Sequence, residues 1–327
     1  MAGGPNRRST GAAKPRTKAR QPARGVQHPQ PRTEPGKTGK LTVWLPLLLV
    51  AVSVVAVAFL LSDDEGARPL AVPAEAAVGL PDTPDYHSLL VSPQDAERLF
   101  LGTHAGLFET QDGGRTWEQS TLVDRDAMNL AHTPARTIWA AGHGVLAKST
   151  DGGETWQEVE PPGLPYLDVH GFAADPKRPK RLFAAIAGQG LYRSQDGGNS
   201  FALVSKEIGP DVFGLAVTQT GKVLAGDTEK GLFASGDGGE TWTKVLAEPV
   251  LGIAVNPDSP ESVLAAGSRG VFRSQDEGRT WKRVLSLAQG GGPLAWSPSE
   301  PDVGYAVGFD RMLYKTVDRG ATWKSVS

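Results

Sequence analysis

From residue 87 to the C-terminus, short apolar runs alternate with polar breaks at a spacing that repeats. Between residues 250 and 284 the runs are Val250-Leu-Gly-Ile-Ala-Val255, Ser262-Val-Leu-Ala-Ala266, Gly270-Val-Phe-Arg273 and Thr280-Trp-Lys-Arg-Val284. Each is short, β-branched or alternating, and bounded by Pro, Asp, Gly or Ser, as half-buried strands require. Four such runs form a unit, and the unit occurs six times with a period of 39 to 45 residues. A period near 40 with four strands per unit predicts a propeller blade. The fold expected is all-β, a six-bladed β-propeller over residues 86–327. The first inner strand starts near His87 and the last outer strand ends at Ser327, so the ring should close without exchanging a strand between its ends. Closure hides sheet edges that would otherwise invite aggregation.

The break between the third and fourth runs has a fixed chemistry, Ser/Thr-x-Asp-x-Gly-x-Thr-Trp in its fullest form. Its carboxylates are Asp112, Asp151, Asp196, Asp237, Asp276 and Asp318. An Asp-Gly pair between strands supplies an acceptor for the turn's own N–H groups and a residue that tolerates positive φ. The aromatic that follows is Trp117, Trp156, Phe201, Trp242, Trp281 or Trp323. Since it recurs in every unit, it should serve what every unit shares, a wedge between neighbouring sheets.

Ahead of the propeller the pattern changes. Residues 1–40 hold ten of the 34 basic residues but only Glu34 among 36 acidic ones, amid Pro, Gly and Thr. A near-neutral whole therefore conceals a tail of +9 and a remainder of −11. Such a tail cannot bury a core and is expected to be disordered. Leu41 to Leu61 is an uncharged apolar stretch of 21 residues. At about 1.5 Å per residue it matches a ~30 Å hydrocarbon layer. It lacks a small-residue cleavage site and reads as an uncleaved signal anchor, a single transmembrane helix. The charge asymmetry puts the N-terminus in the cytoplasm and the propeller outside the plasma membrane. Residues 62–85, rich in Ala and Pro, read as a linker. The tail is expected to act as an orientation signal, with no nucleic-acid partner. The chain has no cysteine, so the exported domain must rely on its core rather than on crosslinks. A monomeric propeller is expected.

The boxes resemble those of the Asp-box, or BNR-repeat, propellers, a superfamily that includes sialidases, sortilin-type receptors and photosystem II assembly factor propellers. The resemblance covers residues 87–327. It implies the fold, and it implies that the boxes lie on the face opposite the working site, so that the six box carboxylates are structural. It says little about function, since members divide between glycosidases, receptors and assembly factors. The sialidase arginine motif, Arg-Ile-Pro or Arg-Leu-Pro, is missing, and the inner strands carry no arginine. Tyr305 and Tyr314 read as packing residues. The arrangement Thr103-His-Ala-Gly-Leu with Ala141-Gly-His143 is also similar to bacterial Asp-box propellers catalogued as glycosyl hydrolases by fold analogy.

A second pattern is unequal between units. At the start of the inner strand stand Asp85-Tyr-His87, Asp126-Ala-Met128, Asp168-Val-His170 and Asp211-Val-Phe213. In the turn between second and third strands, eight residues before each box Asp, stand His104, His143, Gly188, Glu229, Ser268 and Asp310. Antiparallel alternation puts these two sets on one end of the blades, opposite the boxes. The expected ligand-binding residues are Asp85, Asp126, Asp168, Asp211, Glu229, Arg269 and Asp310. His87, His104, His143 and His170, with Met128, are a candidate metal set, all within blades one to three, while His132 reads as core. Imidazole and thioether with nearby carboxylates suit copper or zinc. Ordinary polar mouth residues would produce the same composition. The reading is a membrane-anchored extracytoplasmic binding or assembly module with a protein or glycan partner, more a binder than an enzyme. The alternative is a glycoside hydrolase acting on surface or environmental glycans.

Overall fold

The computed structural model describes residues 77–327. The basic tail, the apolar stretch 41–61 and the first part of the linker lie outside the described residues. Among those described, no helix is long and apolar enough to cross a membrane.

Six antiparallel sheets follow one another along the chain, each built from strands consecutive in sequence. Blade one comprises Ser88–Val91, Leu99–Thr103, Gly106–Thr110 and Thr116–Val123. The inner strands of blades two to six are Asn129–His132, Val169–Ala174, Val212–Val217, Val250–Val255 and Gly291–Trp296. Among the described residues, no strand is exchanged between the ends of the ring, as expected. One addition was not foreseen. Ala77–Val78, inside the segment read as linker, pairs outside blade one, Ala77 opposite Trp117 and Val78 opposite Thr116. Pro81 and Thr83 beyond it are buried. In blade five the outer strand is Lys282–Ser286, two residues later than the pattern predicts. Thr280 and Trp281 belong to the turn instead: the Thr280 hydroxyl donates to Asp276 and Trp281 Nε1 to the Gly278 carbonyl.

The boxes form as their chemistry requires. In blade one Asp112 Oδ1 accepts from the Thr110 hydroxyl (2.7 Å) and the Thr116 N–H (3.0 Å), and Oδ2 accepts from the Thr116 hydroxyl (2.7 Å). The Thr110 hydroxyl in turn accepts from the Gly114 N–H. Gly114 has φ +95°, and a Cβ there would collide with Leu313 of blade six. Each box aromatic sits in the cluster between its own blade and the preceding one. Phe201 packs with Trp139 and Leu146 of blade two, and Trp117 with Tyr305 and Leu313 of blade six. The wedge reading holds in all six blades. The Trp117 wedge is the one that joins the first blade to the last.

Along the axis lies a cavity of about 350 Å³, walled by Leu90, Leu130, Phe172, Leu215, Ile253 and Leu294, one from each inner strand. His132 is its sole titratable lining residue. It is half-buried there, and burial lowers its pKa. This axial cavity is therefore mainly apolar and offers little to acid–base chemistry.

Candidate metal centre on blades one to three

The imidazoles and carboxylates picked out by position do meet. Asp85, His87 and His104 form one group, His104, Asp126 and His143 a second, and His143, Asp168 and His170 a third. The groups share members, so seven side chains make a continuous arc across three blades. Local backbone features place them. His104 and His143 occupy the turns that follow Leu99–Thr103 and Ile138–Gly142. Gly142 lets the Asp126 backbone come close, since a Cβ at Gly142 would strike the Asp126 carbonyl. His170 is the extra residue of a β-bulge between Val169 and Gly171, a device that re-aims a side chain at a strand end.

At the blade-three end, His143 Nε2, His170 Nε2 and Asp168 Oδ1 form a nearly equilateral triangle. The imidazole nitrogens are 3.2 Å apart, and the carboxylate oxygen lies 3.0 Å from the first and 3.1 Å from the second. The protons of both rings are engaged elsewhere. His170 Nδ1 lies 3.1 Å from the Pro210 carbonyl, which can only accept, so Nδ1 carries the proton and Nε2 a lone pair. His143 Nδ1 lies 2.5 Å from Asp126 Oδ2 and donates to that carboxylate, which again leaves Nε2 bare. Asp168 Oδ1 is buried and has no hydrogen-bond partner. With both rings neutral, three lone pairs thus converge on one point. Tetrahedral zinc with nitrogen and oxygen ligands at ~2.0–2.1 Å would separate those ligands by about 3.3 Å. The triangle is slightly contracted from that geometry.

The blade-one end is built alike. His87 Nε2 lies 2.9 Å from His104 Nδ1 and 3.3 Å from Asp85 Oδ1, and His104 Nδ1 contacts Asp85 Oδ2. The His104 backbone N–H donates to Asp85 Oδ1 at 3.2 Å, which fixes the carboxylate. Burial lowers the pKa of His87 and outweighs the opposing pull of Asp85, so this ring is neutral at pH 7. Between the ends, Asp126 Oδ2 faces His104 Nε2 at 3.4 Å as well as His143. With neutral rings the arc carries three negative charges, which favours a cation.

The remaining sequence-selected residues are not drawn into it. Met128 is buried and, with His87 and Phe213, lines a small cavity of about 60 Å³ under the arc. Arg269 donates through Nε to Glu248 at 2.7 Å. Asp310 accepts the Tyr314 hydroxyl at 2.6 Å. Glu229 is exposed, its N–H held by Asp227. Asp211 contributes its carbonyl to the Thr228 N–H, a backbone role on blade four. Two contributors lie outside the candidate set. Phe213, which the sequence places at the position of His87 and His170 but which is not a ligand type, stacks on His170 with centroids 4.5 Å apart. The Pro210 carbonyl carries no side-chain signal.

A BNR-repeat family model, described as Photosynthesis system II assembly factor YCF48, matches residues 86–225. The chain is a six-bladed β-propeller with an Asp box in each blade, and over the matched residues it is similar to the BNR-type propellers. A xyloglucanase of Paenibacillus sp is 27% identical to this propeller over 199 residues, 50% of the chain but only 16% of the xyloglucanase. The GH74 xyloglucanase structure from Xanthomonas campestris aligns at TM-score 0.55 and 18% identity, over 77% of this chain and 46% of that one. A structure of YCF48 bound to D1 peptide aligns at TM-score 0.48 and 24% identity, over 78% and 84% of the two chains. The chain thus spans less than half the length of the xyloglucanases it matches, and the likeness to the Xanthomonas structure shows the fold alone.

Proposed function

We propose that this Asp-box propeller is a membrane-anchored, extracytoplasmic binding and assembly module that takes up zinc or copper at the His/Asp arc and meets a protein or glycan partner on that face. The observation that carries the reading is the triangle of His143 Nε2, His170 Nε2 and Asp168 Oδ1, whose lone pairs converge with both rings neutral. Confinement to half the ring adds support, because blade-making residues repeat in every unit and these do not. The assembly-factor family match spans the blades that carry the arc. The apolar stretch 41–61 and the charge asymmetry around it support the anchor and its orientation.

The glycoside hydrolase alternative draws on the likeness to a xyloglucanase. A glycosidase acid needs a carboxyl with a raised pKa. The box aspartates and Glu248 are held low by their hydrogen bonds, so none of them suits that role. Asp85 and Asp126 are each hydrogen-bonded by an imidazole, and Asp168 faces two. The test is metal analysis of the full-length chain after purification without chelator, beside a His104→Ala/His143→Ala variant. Zinc or copper at a stoichiometry of one or more, lost in the variant, supports the reading. Metal-free protein that also fails to take up added zinc removes it.

A further inference from the structure

The arc is longer than one metal ion needs. A single tetrahedral ion uses three or four ligands, and the arc offers seven side chains in overlapping groups. The two rings shared between groups, His104 and His143, have each nitrogen directed at a different partner. His104 turns Nδ1 to Asp85 and His87 and Nε2 to Asp126. His143 turns Nδ1 to Asp126 and Nε2 to Asp168 and His170. A neutral imidazole has one lone pair and one N–H. Each shared ring can therefore ligate on one side while donating on the other.

Asp126 decides which side. Its Oδ2 accepts from His143 Nδ1 at 2.5 Å and stands 3.4 Å from His104 Nε2. The His143 N–H points inward to that oxygen, while His143 Nε2 offers its lone pair to the blade-three group. His104 Nδ1 hydrogen-bonds Asp85 Oδ2 as the structure stands, and an ion in the blade-one group would take the Nδ1 lone pair and leave the proton on Nε2, facing the same Asp126 oxygen. We infer that the arc binds two divalent ions. One is held by Asp85, His87 and His104 and the other by His143, Asp168 and His170, with Asp126 between them as the shared carboxylate that orients one ligand of each. Resting on the metal-binding reading above, this fixes stoichiometry and division of labour within it.

Charge argues for two ions over three. Three carboxylates against two divalent ions leave a net +1, whereas an ion in the central group would leave +3. It would also require His104 and His143 each to give up the remaining N–H. Asp126 is thus a positioning residue for both ions through Oδ2, while its Oδ1, buried without a hydrogen-bond partner, stands 3.9 Å from His87 Nε2. Such carboxylate–histidine–metal arrangements fix the tautomer and raise ligand basicity, and losing the carboxylate weakens metal affinity about 10- to 100-fold.

The test is calorimetric titration of the chelator-stripped full-length chain with zinc chloride, read with cobalt(II) substitution, whose visible absorption reports four- or five-coordinate ions separately. Two ions per chain are expected. His87→Ala and His170→Ala should each retain one, the opposite one in each case. Asp126→Asn should retain two, both weakened about 10- to 100-fold. One ion in the unmodified chain overturns the two-ion inference and leaves the metal-binding reading standing; none overturns both. Three ions, or an Asp126→Asn variant that loses one site and leaves the other unchanged, shows Asp126 to be a ligand and overturns its shared role. The wild-type count does not depend on any variant folding.

Discussion

The hydroxyl of Tyr305 in blade six donates to the carbonyl of Ala96 in blade one across 3.2 Å, joining positions 209 residues apart in sequence. Around it Lys315 Nζ reaches Glu97 Oε1 at 2.6 Å, and Trp117 of blade one packs with Leu313 and Tyr305 of blade six. The ring is thus closed by side chains rather than by a shared sheet, and the apolar part of that closure should outweigh the polar part. Leu313→Ala removes a buried side chain at the seam and should cost ~2–5 kcal/mol. Tyr305→Phe deletes one hydrogen bond and should cost about 1 kcal/mol. Urea unfolding of the two variants measures the contrast, and equal losses would contradict it.

The box hydroxyls allow a finer prediction. Thr110 is buried, donates to Asp112 and accepts from the Gly114 N–H. Thr110→Ala strands that N–H and should cost ~1–3 kcal/mol. Thr110→Ser should be close to neutral, because Ser149, Ser194, Ser235 and Ser274 make the same bonds in their own blades. The melting temperatures of the pair separate loss of the hydroxyl from loss of the methyl.

The boxes also set the acid stability. Thr322 and Ser200 lead the hydrogen bonds that hold Asp318 and Asp196 at about 2, Thr280 leads those on Asp276, and at Asp112 the bonds from Thr116 prevail over burial. Asp151 and Asp237 are depressed further. A carboxylate with a lower pKa folded than unfolded stabilises the fold above its unfolded value, and loses that contribution as pH falls through the folded one. The melting temperature should therefore fall as pH drops from 3.8 to about 2. In Asp318→Asn this drop should be shallower, from a lower starting stability. Calorimetry across that range tests the sign, and an unchanged slope in the variant would count against it.

Much of this was legible in the chain, and the reason is locality. A box is solved within eight residues by Asp, Gly and Ser/Thr chemistry, so its geometry can be written down before any tertiary contact is known. The arc was legible at one remove, because counting from each box fixes which residues share an end of the blades. Fine position was not. Asp310 sits at an equivalent place and Arg269 one residue beyond it in its own blade, yet they find local partners in Tyr314 and Glu248. The bulge that turns His170 and the Pro210 carbonyl that orients it depend on register between strands. Ala77–Val78 reads as linker because its strand character comes from pairing with Thr116 and Trp117, not from its own sequence.

The absence of cysteine makes the proposed orientation easy to test. Val317, 67% exposed on the propeller, and Ser9 in the tail can each carry a single cysteine. In intact cells a membrane-impermeant maleimide should label Val317→Cys and spare Ser9→Cys, which should react only after lysis. The reverse pattern would place the propeller in the cytoplasm.

Metal should also appear as stability. An ion that binds the folded chain and not the unfolded one stabilises it by about 2.7 kcal/mol at a free concentration 100 times its Kd. For a domain of this size that corresponds to a rise in melting temperature of roughly 5–10 °C. Asp168→Asn weakens one vertex of the blade-three triangle and should remove much of the zinc-dependent rise. Arg269→Ala breaks the pair with Glu248 on blade five, so it should lower the melting temperature with and without zinc and leave the difference between them intact. The discriminating quantity is that difference, measured with zinc and with chelator for each variant. Equal loss in both would mean that zinc acts on the surface at large rather than at the His/Asp arc.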